Sequence, residues 1–193
     1  MKRRLRMSAV LLISVIPTAC GTFREGRDFR RDTVPEMTLV PAEEGRSFSE
    51  HTCGVSGNYT WVWPSGGNEN TRFDAVGPGP HDIATWEDAE HLEISRPITM
   101  SLVWEERQPD DVSVVCLDIS AFGMDPGTED ETAYIVEAEV VPDGDGIYLL
   151  ELQAGRVYDI LAVWNEVKGC SFGEAHFYVI TEEPSPWEFP GIT

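Results

Sequence analysis

From about residue 50 onward, the apolar positions of this 193-residue chain recur at every second residue, the period of a strand and not of a helix. Ile98, Met100, Leu102 and Trp104 alternate with Thr99, Ser101 and Val103, which puts the four large side chains on one face. Tyr59, Trp61 and Trp63 share a face in the same way, and Pro64 closes that run. Further strands are predicted over 112–119, 134–141, 147–152, 157–164 and 175–180, with Tyr158, Ile160, Ala162 and Trp164 on one side of the fourth and Ala175, Phe177 and Val179 on one side of the last. Turn-like sequences at 108–111, 142–146 and 153–156 separate consecutive runs. Seven or so short strands at this spacing predict an all-β fold, an antiparallel β-sandwich of immunoglobulin-like size over 47–181. Only 85–92 reads as helical, with Thr85 as its cap and Asp88 three residues on. Trp61, Trp63, Trp104 and Trp164 are expected in the core, and Trp86 and Trp187 outside it. The Pro-rich tail 182–193 is expected to be extended, with Trp187 and Phe189 placed to fold back onto the domain.

The first 19 residues break this pattern. Lys2, Arg3, Arg4 and Arg6 precede an apolar run from 8 to 16, and Pro17, Thr18 and Ala19 lead to Cys20. That is the layout of an export leader. The run is shorter than the ~20 residues that cross a hydrocarbon core. A small residue directly before a cysteine resembles the lipobox of bacterial lipoproteins, although Pro17 stands where that motif carries an aliphatic residue. The expectation is a chain lipidated on Cys20 and held on the extracytoplasmic face of the cell membrane, secretion being the alternative. Residues 20–46 then read as a tether, with Pro35 and Pro41 interrupting regular structure. As a flexible coil it would reach about 28 Å, and Arg24, Arg27, Arg30 and Arg31 lie close to the anchor.

Charge narrows the partners. The formal net charge is −20, and residues 47–193 hold only Arg72, Arg96, Arg107, Arg156 and Lys168 against 28 acidic residues, a formal −23. Such a surface repels phosphates, which excludes nucleic acid. It favours solubility in a crowded medium, or a protein or cationic ligand as partner.

Candidate chemistry is sparse. With Cys20 assigned to lipid, Cys53, Cys116 and Cys170 remain. Cys116 lies within a predicted strand, so a Cys53–Cys170 disulfide is expected, worth up to ~4.7 kcal/mol for so long a loop. Asp143 and Asp145 with their glycines resemble part of a Ca²⁺ loop, without the remaining ligand spacing, and a tight hairpin turn accounts for the same residues. Asp125, Glu129 and Asp130 form a second acidic loop where a cation would find oxygen ligands. Gly169, Ser171 and Gly173 match G-x-S-x-G, yet a strand follows where the nucleophile elbow needs a helix. The four histidines show no ligand spacing, and no cofactor motif is present.

Several segments resemble a group of uncharacterised Gram-positive cell-surface lipoproteins. Gly57, Tyr59 and Trp61 are similar to an early G-x-Y-S-W strand, and Asp74, Ala75, Pro80 and His81 to a D-A…P-H loop. Val112, Val114 and Cys116 resemble an I-x-V-x-C/W strand, with Leu117 in place of the usual Trp. Tyr158, Ala162 and Trp164, then Gly173, Ala175 and Phe177, are similar to a closing hairpin. The resemblance spans about 50–181 and implies lipid anchoring and a β-sandwich-like domain, with no activity. The expected function is a non-catalytic binding or envelope-structural module. The alternatives are a proteinase inhibitor working through loops such as 68–79 or 123–131, and a secreted hydrolase.

Overall fold

The computed structural model describes residues 32–42, 48–66, 69–80, 82, 85–123, 134–144 and 146–184. In chain order the strands are β1 (Met37–Pro41), β2 (His51–Cys53), β3 (Tyr59–Gly66), β4 (Glu69–Ala75), β5 (Glu90–Glu93), β6 (Ile98–Trp104), β7 (Asp111–Asp118), β8 (Ile135–Val136), β9 (Val140–Pro142), β10 (Tyr148–Leu152), β11 (Arg156–Trp164) and β12 (Phe172–Glu182). A single helical turn, α1 (Thr85–Asp88), precedes β5, and a 3₁₀ turn (Ile119–Ala121) follows β7. The strands form two sheets packed face to face, an all-β sandwich. One sheet has the order β2-β1-β6-β10-β9, and the other β4-β3-β12-β11-β7-β8 with β5 also on β12.

The longest strand, β12, has one edge fully paired with β11 and the other divided between two neighbours. Its first residues pair antiparallel with β3, and Val179 to Glu182 pair parallel with β5. In the gap, the N–H groups of Ser56 and Gly57 both donate to the His176 carbonyl at 3.2 Å. The Ser56 hydroxyl accepts the Tyr178 N–H at 2.7 Å, standing in for a strand. Every backbone group along this buried strand must find a partner, and this loop supplies the missing ones.

Alternation decides the core. On β6, Ile98, Met100, Leu102 and Trp104 are buried, and the residues between them half-buried. On β11 and β12, Tyr158, Ile160, Ala162, Trp164, Ala175, Phe177 and Val179 face inward as their spacing requires. Trp164 meets Trp61 edge-on at 5.4 Å and Trp104 at 6.2 Å, and Trp104 meets Phe177 at 6.0 Å. Trp104 belongs to one sheet and the other three rings to the second, so the two contacts of Trp104 join the layers. Trp164 Nε1–H donates to the Arg107 carbonyl at 3.1 Å. Of the tryptophans expected inside, Trp63 is half-buried against this core, and Trp86 is 39% exposed as expected. Trp187 lies outside the described residues.

Three expectations change. Met37 to Pro41 falls inside the expected tether but forms β1, paired with β2 on one side and β6 on the other. Its Met37 and Leu39 are fully buried. The helix expected over 85–92 lasts one turn, because His91 and Leu92 are drawn into the ladder with β12. The Thr85 hydroxyl donates to the Gly79 carbonyl at 2.6 Å, tying the turn to the preceding loop. The run 134–141 is divided between sheets, β8 pairing with β7 and β9 with β10. Replacing Trp164 by Ala removes rings contacted from both layers and is expected to cost about 3–5 kcal/mol. Urea unfolding followed by circular dichroism measures it.

Candidate functional site

A cavity of about 490 Å³ opens at one end of the sandwich, where the chain crosses from β5 in one sheet to β6 in the other. Its apolar lining is Phe48, Ile94, Ile98 and Pro184. Polar groups come from Ser49, His51, Glu93, Ser95 and Arg96. The crossing chain is fixed by backbone pairing, since the Ile94 N–H donates to the Glu182 carbonyl at 2.9 Å and extends the β5–β12 ladder. His51 closes the side wall. Its Nδ1 lies 2.9 Å from Glu90 Oε1, linking β2 to β5, and its Nε2 lies 3.2 Å from Ser49 Oγ. Phe48 packs against the His51 ring at 5.4 Å.

Arg96 and Glu93 carry the formal charges of this cavity's lining. Arg72 pairs with Asp74, Arg107 with Asp110 and Arg156 with Asp118. Among the described residues, Arg96 has no carboxylate partner, and it stands on the cavity wall beside an apolar floor. A guanidinium in that position offers a planar fork of donors to a carboxylate or phosphate. The volume falls within the range of small-molecule sites, and the lining is more polar than apolar.

A second group of titratable residues lies on the outer face of the β11–β12 pair. His176 Nδ1 is 2.7 Å from Asp159 Oδ1. That hydrogen bond, with the charges of Asp159 and Glu174, raises the His176 pKa above its ordinary value although burial opposes it. Among the described residues no hydroxyl or thiol is hydrogen-bonded to the other ring nitrogen, so the pair holds a charge without a nucleophile beside it. The strand below is crowded: a Cβ at Gly57 would meet Tyr178 Oη at 2.5 Å, and one at Gly77 would meet the Gly57 backbone at 2.8 Å. Two backbone segments are thus stacked on β12. Tyr178 Oη–H donates to the Pro78 carbonyl at 2.9 Å, and the Gly77 N–H donates to Asn58 Oδ1 at 2.9 Å. This clamp leaves the neighbouring Val76 92% exposed.

The residues singled out from sequence are dispersed. Cys20, Asp125, Glu129, Asp130 and Asp145 lie outside the described residues. Asp143 is exposed in the β9–β10 turn, where its N–H donates to the Ile147 carbonyl at 2.7 Å and Gly144 and Gly146 take positive φ. No group of three or more His, Cys, Asp or Glu among the described residues is arranged to hold a metal ion. Ser171 of G-x-S-x-G is fully buried in the connection between β11 and β12, its carbonyl accepting from Arg107. The Cys53–Cys170 bridge is not formed: Cys53, Cys116 and Cys170 are all buried thiols. Cys53 ends an edge strand of the first sheet and Cys170 sits in the β11–β12 connection of the second, each filling a core position as a small hydrophobe. Burial pushes the Cys53 thiol up to about 12 and that of Cys116 to about 11. The cavity itself escaped sequence reading, because its walls come from segments near 50, 95 and 184 that share no motif.

No family model, curated protein or solved structure matches this chain.

Two measurements check these assignments. Because the His176 pKa is raised, the charged pair stabilises the fold fully below the ordinary 6.5, and that contribution is lost as pH rises through the higher folded value. Asp159→Asn is therefore expected to lower the melting temperature most below pH 6.5, the deficit shrinking as pH rises through the raised His176 value. In a Cys20→Ser chain, thiol titration is expected to give no rapid reaction when folded. Unfolding in guanidinium without reductant should then release three thiols.

Proposed function

We propose that this protein is a non-catalytic binding module, carried outside the cytoplasm on a lipidated Cys20, that receives a small ligand with an apolar body and one acidic group in the cavity beside Arg96. The observation that carries this reading is a guanidinium with no carboxylate partner among the described residues, on the wall of a 490 Å³ cavity, in a domain where the other arginines described are ion-paired. Phe48, Ile94 and Ile98 supply the apolar contact, and Arg96 a charge-assisted hydrogen bond. The leader layout of residues 1–20 and the resemblance to cell-surface lipoproteins support the anchoring. An envelope ligand would meet an otherwise repulsive acidic surface, so selectivity would rest on this one cation.

A second reading, an inhibitor of proteinases, is favoured by Val76. It is the most exposed large apolar side chain among the described residues, on a loop clamped by Tyr178 and Asn58. A rigid loop presenting one small aliphatic side chain suits a protease that accepts such residues, and inhibition assays with Val76→Gly as control separate the two readings.

Titration calorimetry with aryl and acyl carboxylates and phosphates tests the leading reading. Removing a hydrogen bond to a charged group costs ~1.5–3 kcal/mol, so Arg96→Ala is expected to weaken any binder about tenfold or more. A binder indifferent to Arg96 would overturn it. Metabolic labelling with a fatty-acid probe is expected to mark the chain, and Cys20→Ser to abolish the label.

A further inference from the structure

The cavity beside Arg96 carries a second formal charge, of opposite sign. Glu93 ends β5, Arg96 follows three residues on, and both line the same space. The chain between and beyond them is held from below. Ile94 donates its N–H to the Glu182 carbonyl, and the side chains of Ile94 and Ile98 are buried in the core. Glu93, Ser95 and Arg96 are left exposed on this anchored crossing.

Opposite charges as close in sequence do pair elsewhere in the domain, Arg72 with Asp74 two residues on and Arg107 with Asp110 three residues on. Glu93 and Arg96 have the second of these spacings, yet no ion pair joins them. Among the described residues, neither has another partner of opposite charge. We infer that the cavity takes a zwitterion, a free α-amino acid with an apolar side chain, its carboxylate on Arg96, its ammonium on Glu93 and its side chain against Phe48. The inference rests on the cavity being the binding site proposed above, and it names the class of ligand.

The field of the domain favours this class over either single charge. Residues 47–193 carry a formal −23, which repels an anion on approach. Inside the cavity a lone carboxylate would also lie near Glu93, and like charges set side by side suppress binding. An amine is drawn in by the same field but meets Arg96. An α-amino acid is neutral overall, so it incurs neither cost and makes a charge-assisted hydrogen bond at each charged group. The lining matches such a head group, with Ser49, His51 and Ser95 as further polar contacts and the partly buried Phe48 ring for the side chain.

Titration calorimetry on the full chain with three probes of similar shape tests this. Phenylalanine carries both charges, N-acetylphenylalanine only the acid and phenylalanine amide only the amine. Phenylalanine is expected to bind at least about tenfold more tightly than either blocked form, each of which lacks one charge-assisted bond. Arg96→Ala and Glu93→Gln are each expected to weaken phenylalanine about tenfold. Glu93→Gln should in addition strengthen N-acetylphenylalanine by removing the repulsion. Both side chains are exposed, so circular dichroism of each variant is expected to match the parent. N-acetylphenylalanine held as tightly as phenylalanine, or held where phenylalanine is not, with Arg96→Ala abolishing it, would overturn the zwitterion and leave the acidic-ligand reading intact. Phenylalanine binding that survives Arg96→Ala unchanged would overturn both. Binding of none of the three probes by the parent would overturn the inference.

Discussion

Edge-to-face contacts among Trp61, Trp104, Trp164 and Phe177 hold the two sheets at one spacing, and the remaining geometry depends on them. Each such pair contributes about 0.5–1.5 kcal/mol beyond the area it buries. Its directional character matters as much as its size. Rings that must meet edge-on cannot slide past one another, so the offset between layers is fixed. Arg107 extends the constraint outward. Its carbonyl accepts the Trp164 indole N–H while its guanidinium bonds Asp110 and the carbonyls of Asn165 and Ser171. The connection from β6 to β7 is thereby locked to the connection from β11 to β12.

Strict alternation made most of the sandwich legible. β6 and β11 stand almost where Ile98–Trp104 and the Tyr158-Ile160-Ala162-Trp164 series put them, because one face of each is buried and the other is not. β1 was hidden by its prolines: Pro41 closes the strand and Pro35 precedes it, so punctuation masked a strand whose Met37 and Leu39 are deeply buried. β4 is an edge strand with no fully buried position, and Glu69-Asn-Thr-Arg-Phe-Asp-Ala75 gives no alternation to read. At 85–92 local preference pointed to helix, and pairing of β5 with β12 prevailed, a tertiary contact overriding a weak propensity.

The candidate site was much less visible. A cavity at the end of a sandwich is assembled where strands stop, from residues whose only common property is position in space. Phe48, Arg96 and Pro184 carry no shared motif. One clue did lie in the composition: in a domain so poor in basic residues, each arginine invites a question about its partner. The structure answers it for Arg72, Arg107 and Arg156. The acidic loops that drew notice instead are a matter of turn chemistry where they are described, as at Asp143.

Cys53, Cys116 and Cys170 sit in the core without a cystine among them. Folding of this sandwich therefore needs no oxidant, and no isomerase to sort pairings among these three thiols. An oxidised, mispaired chain would be unable to close its core, since each sulfur already occupies a packed position. For a β topology dominated by contacts between distant segments, the cost falls on speed, because long loops must close before the strand pairings that reward them can form.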